Sequence, residues 1–306
     1  MIRQPAVAGR FYPADARELE ISIRQFLSAA NAGAKAESGA ETSPQAGAKA
    51  RADNARAETT RAVACLVPHA GYMYSGGVAA AVFARLANPM HANAPRGIPR
   101  RAIILGPRHR PPGAELAIQS DGAWRTPLGL APIDSALARA LMAACPSLQE
   151  NDVAHRREHS IEVEVPFLQV LAGKFSFVPI AIGTVNFDKL AALGDALAKV
   201  ITASATDGEP ILMIASSDLN HHEPDDVTRA KDRFAIDQML ALDPRGLYDA
   251  VRREGITMCG VGPAVAALTA ARKLGATRGE LVCYATSADT SAERDSVVGY
   301  AGMIFH

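Results

Sequence analysis

A three-layer α/β sandwich is the fold this sequence predicts. Two observations predict it. Short apolar runs alternate along the chain with segments of helical period. Three of those runs stop at Gly, Pro or Ser and are followed within a few residues by histidine: ACLV at 64–67 leads to Pro68-His69, RAIILG at 101–106 to Pro107-Arg108-His109, and ILMIASS at 211–217 to Asp218-Leu219-Asn220-His221-His222. In open α/β sheets ligands sit beyond the carboxyl ends of strands, so the repetition points to one site built from several strand ends.

The elements follow in order. Pro5, Gly9 and Pro13 argue against helix over residues 1–13, which read as an extended arm. Residues 14–29 read as a helix that Asp15 can cap, with Leu19, Ile21, Ile23 and Phe26-Leu27 as its apolar positions. Residues 30–61 lack Val, Ile, Leu and aromatics, and such a segment cannot offset its ordering entropy by burial; a disordered Ala-rich insertion is expected there. The core then begins: strand 62–67, helix 77–87, strand 101–105 and a short strand at 116–119. Residues 121–132, with the lone Trp124, read as turn-rich, and 134–144 as a helix. HSIEVEVPFLQVL at 159–171 fits either a strand, by alternation, or a helix, by its Ile161/Val165/Leu168 face. Strand 175–182, helix 187–202, strand 211–217, helices 227–240, 244–254 and 262–274, and strands 281–287 and 296–304 complete the reading. All 306 residues are expected to form a single domain around this core.

Composition narrows the function. A formal net charge of +0 and a 5% aromatic content offer neither an electrostatic footprint for nucleic acid or a membrane surface nor base-stacking platforms. Cys65, Cys145, Cys259 and Cys283 form no CxxC pair, which fits a reducing compartment. No stretch has bilayer-spanning length and the first residues lack a signal-peptide core, so a cytoplasmic protein is expected. Neither a GxGxxG nor a GxxxxGK[ST] phosphate loop occurs.

The residues with chemistry are His69, His109, His159, His221, His222 and Cys259, with Asp218, Glu162 and Glu164 as acids. Imidazole suits zinc, iron, copper and nickel, and a thiolate favours zinc, Cu(I) or iron. Two histidines and one cysteine would leave coordination positions open, as catalytic sites require.

RQPAVAGRFYP, VPHAGYMYSGG, ILGPRHR, EHSIEVEVPFLQ, SSDLNHH and MCGVGP occur in the order found in the Memo-like family, AmmeMemoRadiSam system protein B. The chain resembles that family over nearly its whole length apart from 30–61. The family is related in fold to the class III extradiol non-haem iron dioxygenases. The resemblance implies a central mixed sheet and a helix over 159–171. It implies metal ligation by His69, His109 and Cys259, with His221 and Asp218 as the catalytic pair. Tyr72, His159, Arg108 and His222 would line the substrate pocket. A cysteine, Cys259, stands where the related dioxygenases have a carboxylate, so oxygenase chemistry does not transfer automatically; Arg110 replaces a second histidine in GPRHR, which leaves His109 as the one candidate ligand of that loop and adds positive charge nearby. The function expected is a metal-dependent redox or dioxygenase-like protein using iron, with copper as the alternative. The rivals are a zinc hydrolase, in which the ion activates water, and a module that binds a peptide or small molecule in signalling. A radical-SAM-system protein is the partner the resemblance suggests.

Overall fold

The computed structural model describes residues 1–40, 62–88, 97–204 and 209–306. A nine-stranded mixed sheet lies between two layers of helices. Its strands, numbered along the chain, are β2 (Ala64–Val67), β3 (Arg101–Pro107), β4 (Leu116–Ile118), β7 (Gln149–Glu150), β8 (Ser176–Ile182), β9 (Ile211–Ser216), β10 (His221–Glu223), β11 (Gly279–Thr286) and β12 (Val297–Phe305). They run in the order β10-β12-β2-β9-β3-β8-β4-β7, with β11 on β12. β1 (Ile2–Arg3), β5 (Ala123–Thr126) and β6 (Gly129–Pro132) form a separate small sheet. β2, β9, β3 and β8 are parallel, and β12 and β4 run antiparallel to their neighbours in that set.

Helices cover both faces, which is why the central strands read as unbroken apolar runs. On β3, Ile103 and Leu105 face one layer while Ala102 and Ile104 face the other. The first layer contains the helices Ser135–Ala144, Phe187–Ser204, Asp225–Leu240, Pro244–Arg253 and Val261–Lys273; the second contains Ala16–Ala40, Tyr72–Ala87 and Val165–Ala172. Local chemistry marks several ends. Asp134 caps its helix by accepting from the Leu137 amide, and Asp243 accepts from Arg245 and Gly246.

Three sequence expectations change. Residues 30–40, assigned to the disordered insertion, continue the first helix, whose alanines favour that conformation; residues 41–61 lie outside the described residues. Residues 121–132 form the β5–β6 hairpin, held by the four-residue pairing Ala123↔Pro132 to Thr126↔Gly129. The helix after β2 starts at Tyr72 rather than 77. Residues 159–171 are helical, a short 3₁₀ turn at Glu162–Glu164 running into Val165–Ala172 with Pro166 in the first turn, where its missing N–H costs nothing.

A buried acid ties the far edge together. Asp232 accepts from the Asn220 amide (2.8 Å) and the Tyr284 hydroxyl (2.8 Å). Gly299 is required beside it, since a Cβ there would sit 1.8 Å from Asp232 Oδ2. Burial, only partly offset by the two hydrogen bonds, pushes the Asp232 carboxyl up to about 7. An unfolded aspartate ionises near ~3.9. Between those values the folded chain keeps a proton the unfolded chain has lost, so this contribution to stability is present at low pH and lost as pH rises through about 7. Relative to wild type, Asp232→Asn should therefore gain about 2–3 kcal/mol between roughly pH 5 and pH 8, read from urea unfolding at the two values; a constant difference would contradict the assignment.

Candidate metal centre

Register brings the site together. Val67 pairs with Ser216 across β2 and β9, and Leu105 pairs with Ala215 across β3 and β9. The carboxyl ends of β2, β9 and β3 are therefore adjacent, and two residues beyond the pair His69 meets Asp218: the His69 amide donates to Asp218 Oδ1 at 2.8 Å. Cys259 arrives from a third segment, the turn before helix Val261–Lys273. A Cβ on Gly260 would lie 2.3 Å from Ser217 Cβ and 2.5 Å from the Ser216 carbonyl oxygen. Only glycine lets that turn press against the end of β9, and the approach sets Cys259 Sγ 3.3 Å from His69 Nε2.

One donor atom each from His69, His109 and Cys259 lies within 4.8 Å of the others. Two further groups meet the same limit, Asp218/His221/Cys259 and His109/Glu158/His159. Hydrogen bonding separates them. Glu158 Oε1 accepts from His109 Nδ1 (2.9 Å) and from the amides of His159 (2.7 Å) and Ser160 (2.9 Å), while Oε2 accepts from the His109 amide (2.6 Å). A carboxylate so occupied orients imidazoles and has little left for an ion. Burial alone would raise its pKa, but the His109 hydrogen bond and the charges of His109 and His159 outweigh that and hold Glu158 well below the usual carboxylate range.

The three proposed ligands keep their lone pairs. His109 Nδ1 is bound to Glu158, which leaves Nε2 free; His69 Nδ1 is bound to Ser216 Oγ at 2.8 Å, which leaves Nε2 facing Cys259. This is the arrangement in which a second partner fixes the tautomer of a ligating histidine. Burial first, then the neighbouring His159 and His109 rings, push the His69 pKa down, so the ring is neutral, the form that ligates. Burial and then Asp218 push the Cys259 thiol up; a bound cation would reverse that by stabilising the thiolate. The donor set fits a transition metal and excludes the hard cations, which take oxygen ligands.

The remaining expected residues divide. His221 and Asp218 reach the centre. His221 Nδ1 must donate to the Thr257 carbonyl, 2.9 Å away, so Nε2 is the acceptor of the neutral ring. Asp218 Oδ2 lies 3.9 Å from His69 Nε2, and burial, offset by the His69 and Ala70 amides, pushes the carboxyl up to about 7. His159 stacks on His109 with centroids 4.7 Å apart and meets the edge of Phe11 at 4.8 Å, forming a wall; burial pushes it down to about 4. Arg108 folds back over Gly183 and donates to the Arg110 carbonyl, its buried Nε having no hydrogen-bond partner among the described residues. His222 is exposed, adopts a left-handed φ of 61° and touches His221 at 5.9 Å. Tyr72 is a correction. It is buried among Tyr12, Phe26 and Phe167 and its hydroxyl is taken by the Val163 carbonyl at 2.7 Å, so it packs the core rather than lining a pocket.

Glu162 also proves structural: it accepts from the amides of Ala6 and Val7 and from the Tyr12 hydroxyl, and pairs with Arg3 at 2.7 Å. The orienting residues Glu158, Ser216 and Thr257 escape sequence reasoning. Only Glu158 carries a signal, its position directly before His159.

The family model described as Memo-like protein matches residues 3–304. The chain belongs to the Memo-like family. Among Memo-like relatives, a MEMO1 family protein of Methanopyrus kandleri is 40% identical over 306 residues, covering 100% of this chain and 99% of its own. Another, from Methanothermobacter thermautotrophicus, is 38% identical over 303 residues, 99% of this chain and 100% of its own. An uncharacterized Escherichia coli K12 protein of known structure aligns over 78% of this Memo-like chain and 99% of its own, with a TM-score of 0.45 and 13% identity.

Proposed function

We propose that this protein is a metal-dependent redox protein of dioxygenase-like type, holding iron or copper through His69 Nε2, His109 Nε2 and Cys259 Sγ. The observation that carries this reading is the convergence of those three donors within 4.8 Å while Ser216 and Glu158 occupy the other ring nitrogens of the two histidines. An ion held there would supply one-electron chemistry toward a bound substrate.

The chain's own residues supply the rest. His221 Nε2, the acceptor of a ring held by Thr257, takes a proton from a substrate hydroxyl or similar group at the centre. Asp218, with a carboxylate oxygen within 4.8 Å of a His221 nitrogen and of Cys259 Sγ, accepts that proton from His221 and passes it back to the product. His159 and Phe11 exclude water along one wall. Among the described residues neither Arg108 nor Arg110 has a carboxylate partner, and Arg110 is near enough to His159 to lower its pKa; both guanidiniums suit an anionic group on a small-molecule or peptide ligand. His222 stands at the rim beside His221.

A zinc hydrolase would use the same donors, with His221 as the base toward water. Metal analysis of protein purified without oxygen separates the readings. Wild type should hold a redox-active metal stoichiometrically, and Cys259→Ser and His69→Ala should lose most of it. Zinc in the wild type would favour hydrolysis; unchanged metal in both variants would refute the site. A radical-SAM-system partner stays a proposal from family resemblance, to be tested by co-purification. Among the described residues no helix is long and apolar enough to cross a membrane.

A further inference from the structure

The buried acid Glu164 lies behind the metal centre, and the role described above for the chain's other residues makes no use of it. It is fully buried, and its Oε2 has no hydrogen-bond partner among the described residues. Its Oε1 lies 3.2 Å from Ser216 Oγ, the same atom that His69 Nδ1 approaches at 2.8 Å. Ser216 Oγ also lies 2.7 Å from the Ser160 carbonyl oxygen.

A hydroxyl has one proton and two lone pairs. The Ser160 carbonyl can only accept, so the Ser216 proton goes there, along the shortest of the three contacts. The two lone pairs then face His69 Nδ1 and Glu164 Oε1, and both must be donors. For His69 this means the Nδ1–H tautomer, with the Nε2 lone pair turned toward Cys259. For Glu164 it means a neutral carboxylic acid. An ionised carboxylate there would set lone pair against lone pair and leave a charged oxygen buried without a partner, which desolvation strongly disfavours. No Lys, Arg or His pairs with Glu164 among the described residues, and the charge that acts on it, from Asp218, also disfavours ionisation.

We propose that Glu164 is a protonated carboxylic acid that acts as a positioning residue: its hydroxyl anchors Ser216 Oγ, the atom that holds the His69 ring with Nε2 aimed at the metal. Loss of a second partner to a ligating histidine weakens metal binding by about 10–100-fold. The inference rests on His69 being a ligand, as proposed above, but its protonation claim can be read separately.

The test pairs infrared spectroscopy with Co²⁺ titration. In metal-free wild type, an infrared carbonyl band of a protonated carboxylic acid should shift in heavy water and be missing from Glu164→Gln. Co²⁺ affinity, followed by the thiolate charge-transfer absorption, should stay within about threefold in Glu164→Gln, whose amide still donates to Ser216. It should fall by about 10–100-fold in Glu164→Leu and Ser216→Ala. Absence of the acid band, equal loss in the Gln and Leu variants, or unchanged affinity in Glu164→Leu would each overturn the proposal. If Glu164→Leu does not fold, the band and the Gln/Ser216→Ala comparison decide. Failure of wild type to bind Co²⁺ with sulfur absorption would instead sink the metal site, while the band would still report on Glu164.

Discussion

Glu162→Ala is expected to cost about 3–5 kcal/mol of stability, measured by urea unfolding. The carboxylate holds four donors of the N-terminal arm: the Ala6 and Val7 amides, the Tyr12 hydroxyl and the Arg3 guanidinium. Arg3 is buried, 4.1 Å over the Trp124 ring, and also donates to the carbonyls of Gln4, His155 and Glu158. Removing the carboxylate leaves an uncompensated buried charge and two unsatisfied amides, the circumstance in which breaking an ion pair is most costly. The same arm carries Phe11 to the wall at His159, so hydrogen exchange over residues 5–12 should accelerate in the variant. A loss below about 1 kcal/mol, the range of surface ion pairs, would contradict the clamp.

Glu158→Ala is expected to weaken metal binding by about 10–100-fold. The variant removes the partner that fixes His109 Nδ1 and leaves the His109, His159 and Ser160 amides unsatisfied together. Glu158→Gln separates orientation from charge. Its amide oxygen can still accept from His109, but the oxygen's partial charge is smaller, so affinity should fall between wild type and the alanine variant. Isothermal titration with Co²⁺ checks the order; alanine and wild type binding alike would refute the orienting role.

The sequence carries the framework of this site and hides its support. β2, β3 and β9 are legible because burial on both faces removes polar interruptions, and the histidines that follow stand out against apolar runs. Cys259 is legible only through the resemblance, since nothing local distinguishes MCGVGP from an ordinary turn. What the sequence cannot convey is that β9 lies between β2 and β3, a pairing across more than a hundred residues that brings His69, Asp218 and His109 to one edge. Glu158 fails for a related reason. It sits in the polar run HRREHS, and its carboxylate is buried against the ring and amide of His109, 49 residues earlier in the chain, while Arg3 of the arm holds its carbonyl. Tyr72 is misread because its neighbours in sequence belong to the site while its ring turns into the core. The first helix runs past 30 because alanine's helix propensity outlasts the apolar face that suggested its end.

X-ray absorption at the metal edge, on protein purified without oxygen, tests the metal centre most directly. The account predicts one sulfur scatterer and two imidazoles around a single ion, with the sulfur lost in Cys259→Ser. A shell of nitrogen and oxygen alone in wild type would contradict it.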